Sequence, residues 1–217
     1  MKNFLFLLLF PLIGFGQFNP IFFASGLNPN RNRLTKTEEF DNVIWTKSNT
    51  TITANTTTAP DGNTTADKLI ATAITAGHGI FQPISGGNAS MSFSVYAKAA
   101  EYNYILIGGM WAGNSHGCDY YFNLTDGTFN LGLNNGLATN ITAKSTDVGN
   151  GWYRISLSFT NDSSMTRITI CPSNNNTNTV NSASHQSTFL GNGTSGIYVW
   201  GAQAENGLNV TPYIKKN

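Results

Sequence analysis

The chain has 217 residues, only 11% of them charged, and a formal net charge of +1. It carries no basic patch or stripe of the kind a nucleic-acid binder shows, which excludes that partner class. Its polarity rests on Asn, Thr, Ser and Gly, which keep a surface wet without charge and make short hydrogen bonds to hydroxyl-rich ligands.

Met1-Lys2-Asn3 supplies one positive charge, and Phe4 to Phe15 is apolar, interrupted by Pro11 and Gly14. Gly14 and Gly16 are small residues at the positions a signal peptidase reads, so residues 1–16 read as a signal peptide and Gln17 as the first mature residue. The competing reading is an uncleaved apolar anchor docked into a larger assembly. Residues 17–33 form a lead-in without periodicity, and residues 34–217 form one domain, long enough for a full core.

From Leu34 onward, short alternating segments are separated by turn signals, and no stretch sustains a helical period. Met91, Phe93, Val95 and Ala97 alternate with Ser92, Ser94 and Tyr96. Tyr153, Ile155, Leu157 and Phe159 alternate with Arg154, Ser156 and Ser158. Tyr104 to Ile107 and Ile197 to Ala204 are apolar on both sides, as central strands are. Asp126-Gly127 predicts a two-residue hairpin that sets Leu124 opposite Phe129, Phe122 opposite Leu131 and Tyr120 opposite Leu133, all facing the core. Asn123 then opposes Asn130 on a polar, wet face. Glycine-rich turns at Gly149-Asn150-Gly151 and Gly191 to Gly196 each lead into a strand bearing a Trp. About nine antiparallel strands in two sheets follow from this pattern, an all-β sandwich.

Cys118 and Cys171 are the only cysteines. Strand parity puts Cys118 on an inward face and Cys171 on an outward one, which argues against a disulfide unless a bulge at Pro172 restores the pairing. His78, His116 and His185 read as isolated, without zinc-ligand spacing. The carboxylates are too scattered to nominate a glycosidase pair.

Glu39-Phe40-Asp41-Asn42, Trp45-Thr46-Lys47, Ala59-Pro60-Asp61-Gly62 and Ala66-Asp67-Lys68-Leu69 follow one another in order. Phe93 to Ala99, Asn123 to Thr128, Val148 to Arg154, Gly191 to Gln203 with Glu205, and Thr211-Pro212-Tyr213-Ile214 complete the series. Over roughly residues 34–214 this resembles the jelly-roll domain of phage head-spike and tail-fibre proteins and of exported bacterial proteins, similar in layout to carbohydrate-binding modules. The resemblance implies a two-sheet antiparallel jelly-roll sandwich, non-catalytic, used for surface display and glycan contact. It also makes a structural calcium conceivable, with Asp41 and Glu205 as oxygen ligands, against the simpler reading of two solvated carboxylates. Phe40 and Trp45 are expected to plug one end of the sandwich, and Trp200 and Tyr213 to close the other edge.

Gly108 to Gly117 reads as a loop joining two neighbouring strands, with Trp111, Asn114 and His116 at its tip. Tyr121 is placed on the polar face of the next hairpin beside Asn123. An aromatic ring flanked by amides is the pattern for stacking on a sugar, so Trp111 and Tyr121 are the expected stacking rings, against an ordinary loop whose Trp folds back. Gly113-Asn114-Ser115-His116-Gly117 matches Gly-x-Ser-x-Gly, but a nucleophile elbow needs a helix next, and Cys118 to Leu124 reads as a strand. The expectation is therefore a secreted or cell-surface protein that binds glycans or cell-surface polysaccharide without catalysis. The alternatives are a virion spike or fibre protein contacting host glycans as a homotrimer, and a polysaccharide-cleaving enzyme.

Overall fold

The structure, a computed structural model, describes residues 31–85, 87–111, 116–136 and 138–217. The signal-peptide reading falls outside them. The described residues form fourteen strands and no α-helix. In the front sheet the order is β12 (Thr179–Asn181), β13 (Gln186–Leu190), β4 (Thr75–Pro83), β11 (Met165–Ser173), β6 (Tyr104–Trp111), β7 (His116–Asn123) and β8 (Phe129–Asn134), with β1 (Thr46–Ser48) pairing to β4. In the back sheet the order is β2 (Thr50–Thr57), β3 (Ala66–Ala71), β14 (Gly196–Asn206), β5 (Ser90–Ala99), β10 (Trp152–Thr160) and β9 (Thr139–Gly149). The sheets are antiparallel and pack face to face as a β-sandwich.

Alternation fixes which side of each strand is buried. β5 and β10 pair with Phe93 opposite Leu157 and Val95 opposite Ile155, and all four side chains enter the main core between the sheets. β6 is central, so Ile105 and Ile107 face that core while Leu106 is buried on the other side. In β14 the inward phase changes from Val199 to Ala202 across a register shift at Gly201, whose φ of 60° suits a glycine. Phe40 and Trp45 are fully buried with ring centroids 5.0 Å apart. Trp200 and Tyr213 are buried as well, but they pack with Tyr96 and Trp152 on the outer face of the back sheet rather than between the sheets.

The β7–β8 hairpin departs from its expected register by two residues. Phe122 pairs with Phe129 and Tyr120 with Leu131. The turn is longer because Asn123 and Asp126 each fold their side chains onto the backbone two residues ahead, at Thr125 and Thr128. The shift keeps Tyr120, Phe122, Phe129 and Leu131 in phase with one another, but a bulge between Asp119 and Tyr120 sets Leu133 opposite Asp119 instead of Tyr120, and Leu133 stays out of the core expected of it. The shift also leaves β8 as an overhanging edge, with Phe129 46% and Leu131 50% exposed instead of in the core. Cys118 lies in the main core and Cys171 on the opposite face of the same sheet, and both thiols are free.

Candidate functional site

The structure corrects the exposure expected of the two stacking rings. Trp111 is 0% exposed and packs 5.5 Å from Phe159 in the main core. The reason is local. β6 continues through Gly108 and Gly109 instead of ending there, and Trp111 keeps the inward phase of Ile105 and Ile107. Tyr121 is 1% exposed, although it points to the outer face as expected. Its hydroxyl donates to the Asn178 carbonyl at 3.0 Å and lies 3.1 Å from Ser187 Oγ. The segment that follows β11 folds back over this outer face, so the face expected to be wet is a second buried layer. Neither ring offers a face to a ligand. Asn123 is half-buried and serves the turn, where its Oδ1 accepts from the backbone and hydroxyl of Thr125. His116 faces Asp162 at 3.7 Å. Asn114 and Ser115 lie outside the described residues.

Under that second layer, His185 Nδ1 meets Asp119 Oδ2 at 2.5 Å, with both side chains fully buried. The sequence reading took His185 as isolated because its acid lies far away in the chain. Desolvation pushes the Asp119 carboxyl up to about 6. Two glycines make room for the pair. A Cβ on Gly108 would lie 1.7 Å from Asp119 Oδ1, and one on Gly117 would lie 2.1 Å from His185 Cε1. Such enclosure makes the pair a fastening between β7 and the overlying segment.

Asp41 and Glu205 have different neighbours. Asp41 is exposed, and its carbonyl accepts from Lys47. Glu205 is buried, bonded to Gln203 and Thr211, with Arg31 at 3.6 Å. Among the described residues no group of three or more His, Cys, Asp and Glu could hold a metal ion.

The outer face of the back sheet holds an arrangement the sequence reading did not single out. Register places Trp152 opposite Lys98, Lys98 opposite Tyr198, and Tyr198 opposite Lys68. Directly opposed residues share a face, so a row of aromatic and cationic side chains crosses four strands. Lys68 is paired with Glu101 at 2.7 Å. Lys98 and Tyr198 are half-buried, and no ion pair engages Lys98 among the described residues. At the Lys98 end of the row a pocket of about 230 Å³ opens between the 57–60 segment and the Gly149-Asn150 turn. Thr57, Thr58, Pro60, Lys98, Asn150 and Trp152 line it. Trp152 Nε1 donates to the Thr58 carbonyl at 3.0 Å, which holds the two walls together. The turn is possible because Gly149, Asn150 and Gly151 all take positive φ, at 91°, 55° and 77°. It leaves the Asn150 side chain exposed at the rim. The row could be found from sequence only by aligning four strands in register, which turn lengths alone do not fix.

The chain matches no known protein-family model, and no curated protein matches it.

Proposed function

We propose that this chain is an exported, non-catalytic sandwich of the jelly-roll kind that contacts glycans through the outer face of its back sheet. The strand order supports the jelly-roll reading. β3-β14-β5-β10 faces β4-β11-β6-β7, so successive strands alternate between sheets from β3 to β6 and again from β10 to β11, as two interleaved Greek keys require. The apolar segment and small residues of positions 1–16 support export.

The single observation that carries glycan contact is the pocket beside Lys98. It combines a cation that no acidic side chain engages among the described residues, a rim amide on Asn150, two threonines and the edge of the buried Trp152. Hydroxyl groups of a sugar accept from the ammonium and amide and donate to the threonine and amide oxygens. The volume lies below the roughly 300–1,000 Å³ of sites for drug-sized ligands, so it suits a single ring at a chain end. Affinity per site is then weak, on the order of 1 mM.

The test is a glycan array probed with multimerised protein, followed by calorimetry on any hit. Lys98→Ala with Asn150→Ala is expected to weaken binding about tenfold or more, through loss of a charge-assisted hydrogen bond. Retention of no glycan by the wild type, or equal affinity in the double variant, overturns this reading.

A further inference from the structure

A second arrangement lies away from that pocket, where the C-terminal segment crosses the outer face of the back sheet. Three side chains meet there: Gln203 and Glu205 on β14, and Thr211 beyond its end. Gln203 is fully buried and Glu205 is 3% exposed. Thr211 Oγ1 donates to Glu205 Oε1 at 2.5 Å. The other oxygen of the same carboxylate, Oε2, accepts from Gln203 Nε2 at 2.8 Å and from the Thr211 backbone N–H at 3.0 Å. Gln203 Nε2 also lies 3.3 Å from Thr211 Oγ1. The carboxamide oxygen of Gln203 accepts from the Ile214 N–H at 2.7 Å.

A hydroxyl, a carboxylate and a carboxamide in this order form the parts of an acyl transfer. One Glu205 oxygen holds the proton of the nucleophile, and the other faces the nitrogen of the leaving group. The Ile214 N–H sits where negative charge collects on the carboxamide oxygen, as a donor for an oxyanion must. Holding the hydroxyl of half-buried Thr211 against the buried amide supplies the effective concentration that a bimolecular reaction between such weak partners lacks.

We propose that Thr211 and Gln203 join in an intramolecular ester. Thr211 Oγ1 attacks Gln203 Cδ while its proton passes to Glu205 Oε1. The tetrahedral oxyanion is held by the Ile214 N–H. Glu205 then returns the proton to Nε2, the Cδ–Nε2 bond breaks, and ammonia leaves. One C–O bond forms, one C–N bond breaks, Glu205 ends as it began, and no oxidant or cofactor is consumed. The product ties the C-terminal segment covalently to β14. This inference is independent of the glycan reading.

The experiment is mass spectrometry on the purified full chain. The ester removes one ammonia, about 17 Da. Cyclisation of an N-terminal Gln17 sheds the same mass, so the linkage is read on peptides. Cleavage after Leu208, a site that every variant keeps, separates the Gln203 peptide from the Thr211 peptide unless the ester joins them. The expected result is a joined pair in the wild type that hydroxylamine separates, as it does an ester and not an amide. Thr211→Val and Glu205→Gln are expected to give free peptides at full mass. Thr211→Ser keeps a hydroxyl at the same place and is expected to join. Circular dichroism on each variant separates loss of chemistry from loss of fold. Free peptides in folded wild-type protein overturn the proposal. Equal joining in folded Glu205→Gln overturns the role of Glu205 as proton carrier.

Discussion

His185 Nδ1 lies 2.5 Å from Asp119 Oδ2, across 66 residues of chain, with neither side chain reaching solvent. The pair spans the front sheet and the segment that covers it. Taking away one member of this buried hydrogen-bonded pair leaves the other unsatisfied, at about 1–3 kcal/mol. Asp119→Ala and His185→Ala are each expected to lose that much stability, read from urea midpoints. Their double variant should lose less than the sum, because each single change already breaks the same contact. Additive losses would mean that the two groups do not act on one another. Gly117→Ala is expected to be as damaging as either, since its methyl would overlap the His185 ring.

Stability should also depend on pH in a particular direction. Desolvation pushes both Asp119 and Asp67 from the ordinary 3.8 up to about 6. An acid whose folded pKa exceeds its unfolded one holds its proton better when folded. Its contribution is therefore complete below about pH 4 and lost as the pH rises through about 6. Urea midpoints of wild type and Asp67→Asn/Asp119→Asn, taken every half unit between pH 4 and 7, isolate this contribution from the other carboxylates. The wild-type profile should fall relative to the variant's over that window. Parallel profiles would show that neither carboxyl titrates as stated.

Trp111 and Tyr121 are structural rings, and their variants should behave so. Trp111→Ala is expected to cost about 3–5 kcal/mol through the cavity it leaves in the core. Tyr121→Phe loses only the hydroxyl contacts to Asn178 and Ser187, about 1 kcal/mol. Neither should change glycan affinity at temperatures where the variant remains folded. A selective loss of binding in folded Tyr121→Phe would return that residue to the ligand site.

The two thiols should be inert until the protein unfolds. Burial pushes Cys118 up to about 12 and Cys171 higher still, so the thiolate that reacts with alkylating agents is scarce in both. Iodoacetamide should modify neither in native buffer and both in concentrated urea, with no change of mass on reduction alone. Modification of native protein would place a thiol at the surface.

The fold was legible where a single strand decides its own outcome. The alternations of β5 and β10 placed Phe93, Val95, Ile155 and Leu157 on the core side from spacing alone. Opposite parity of Cys118 and Cys171 was equally local. Spacing says less about where a strand ends, and β6 runs on to Trp111. Carrying the β6 phase through two glycines would have buried Trp111. Spacing also says little where a distant segment covers a face, because nothing near Tyr121 or Asp119 announces the residues after β11. The Lys98 row depends on the register of four strands at once. The Gln203–Glu205–Thr211 cluster depends on a segment that turns back after β14. Both are products of pairing rather than of spacing.

The last strand in the chain, β14, occupies the interior of the back sheet, between β3 and β5. Synthesis therefore passes through the other thirteen described strands before that sheet has its middle. Until then β3 and β5 have no neighbour to bridge them, and closure waits on contacts between opposite ends of the sequence, the kind that form slowly. Wiring of this sort delays closure of the back sheet until the strand that fills its middle has been made.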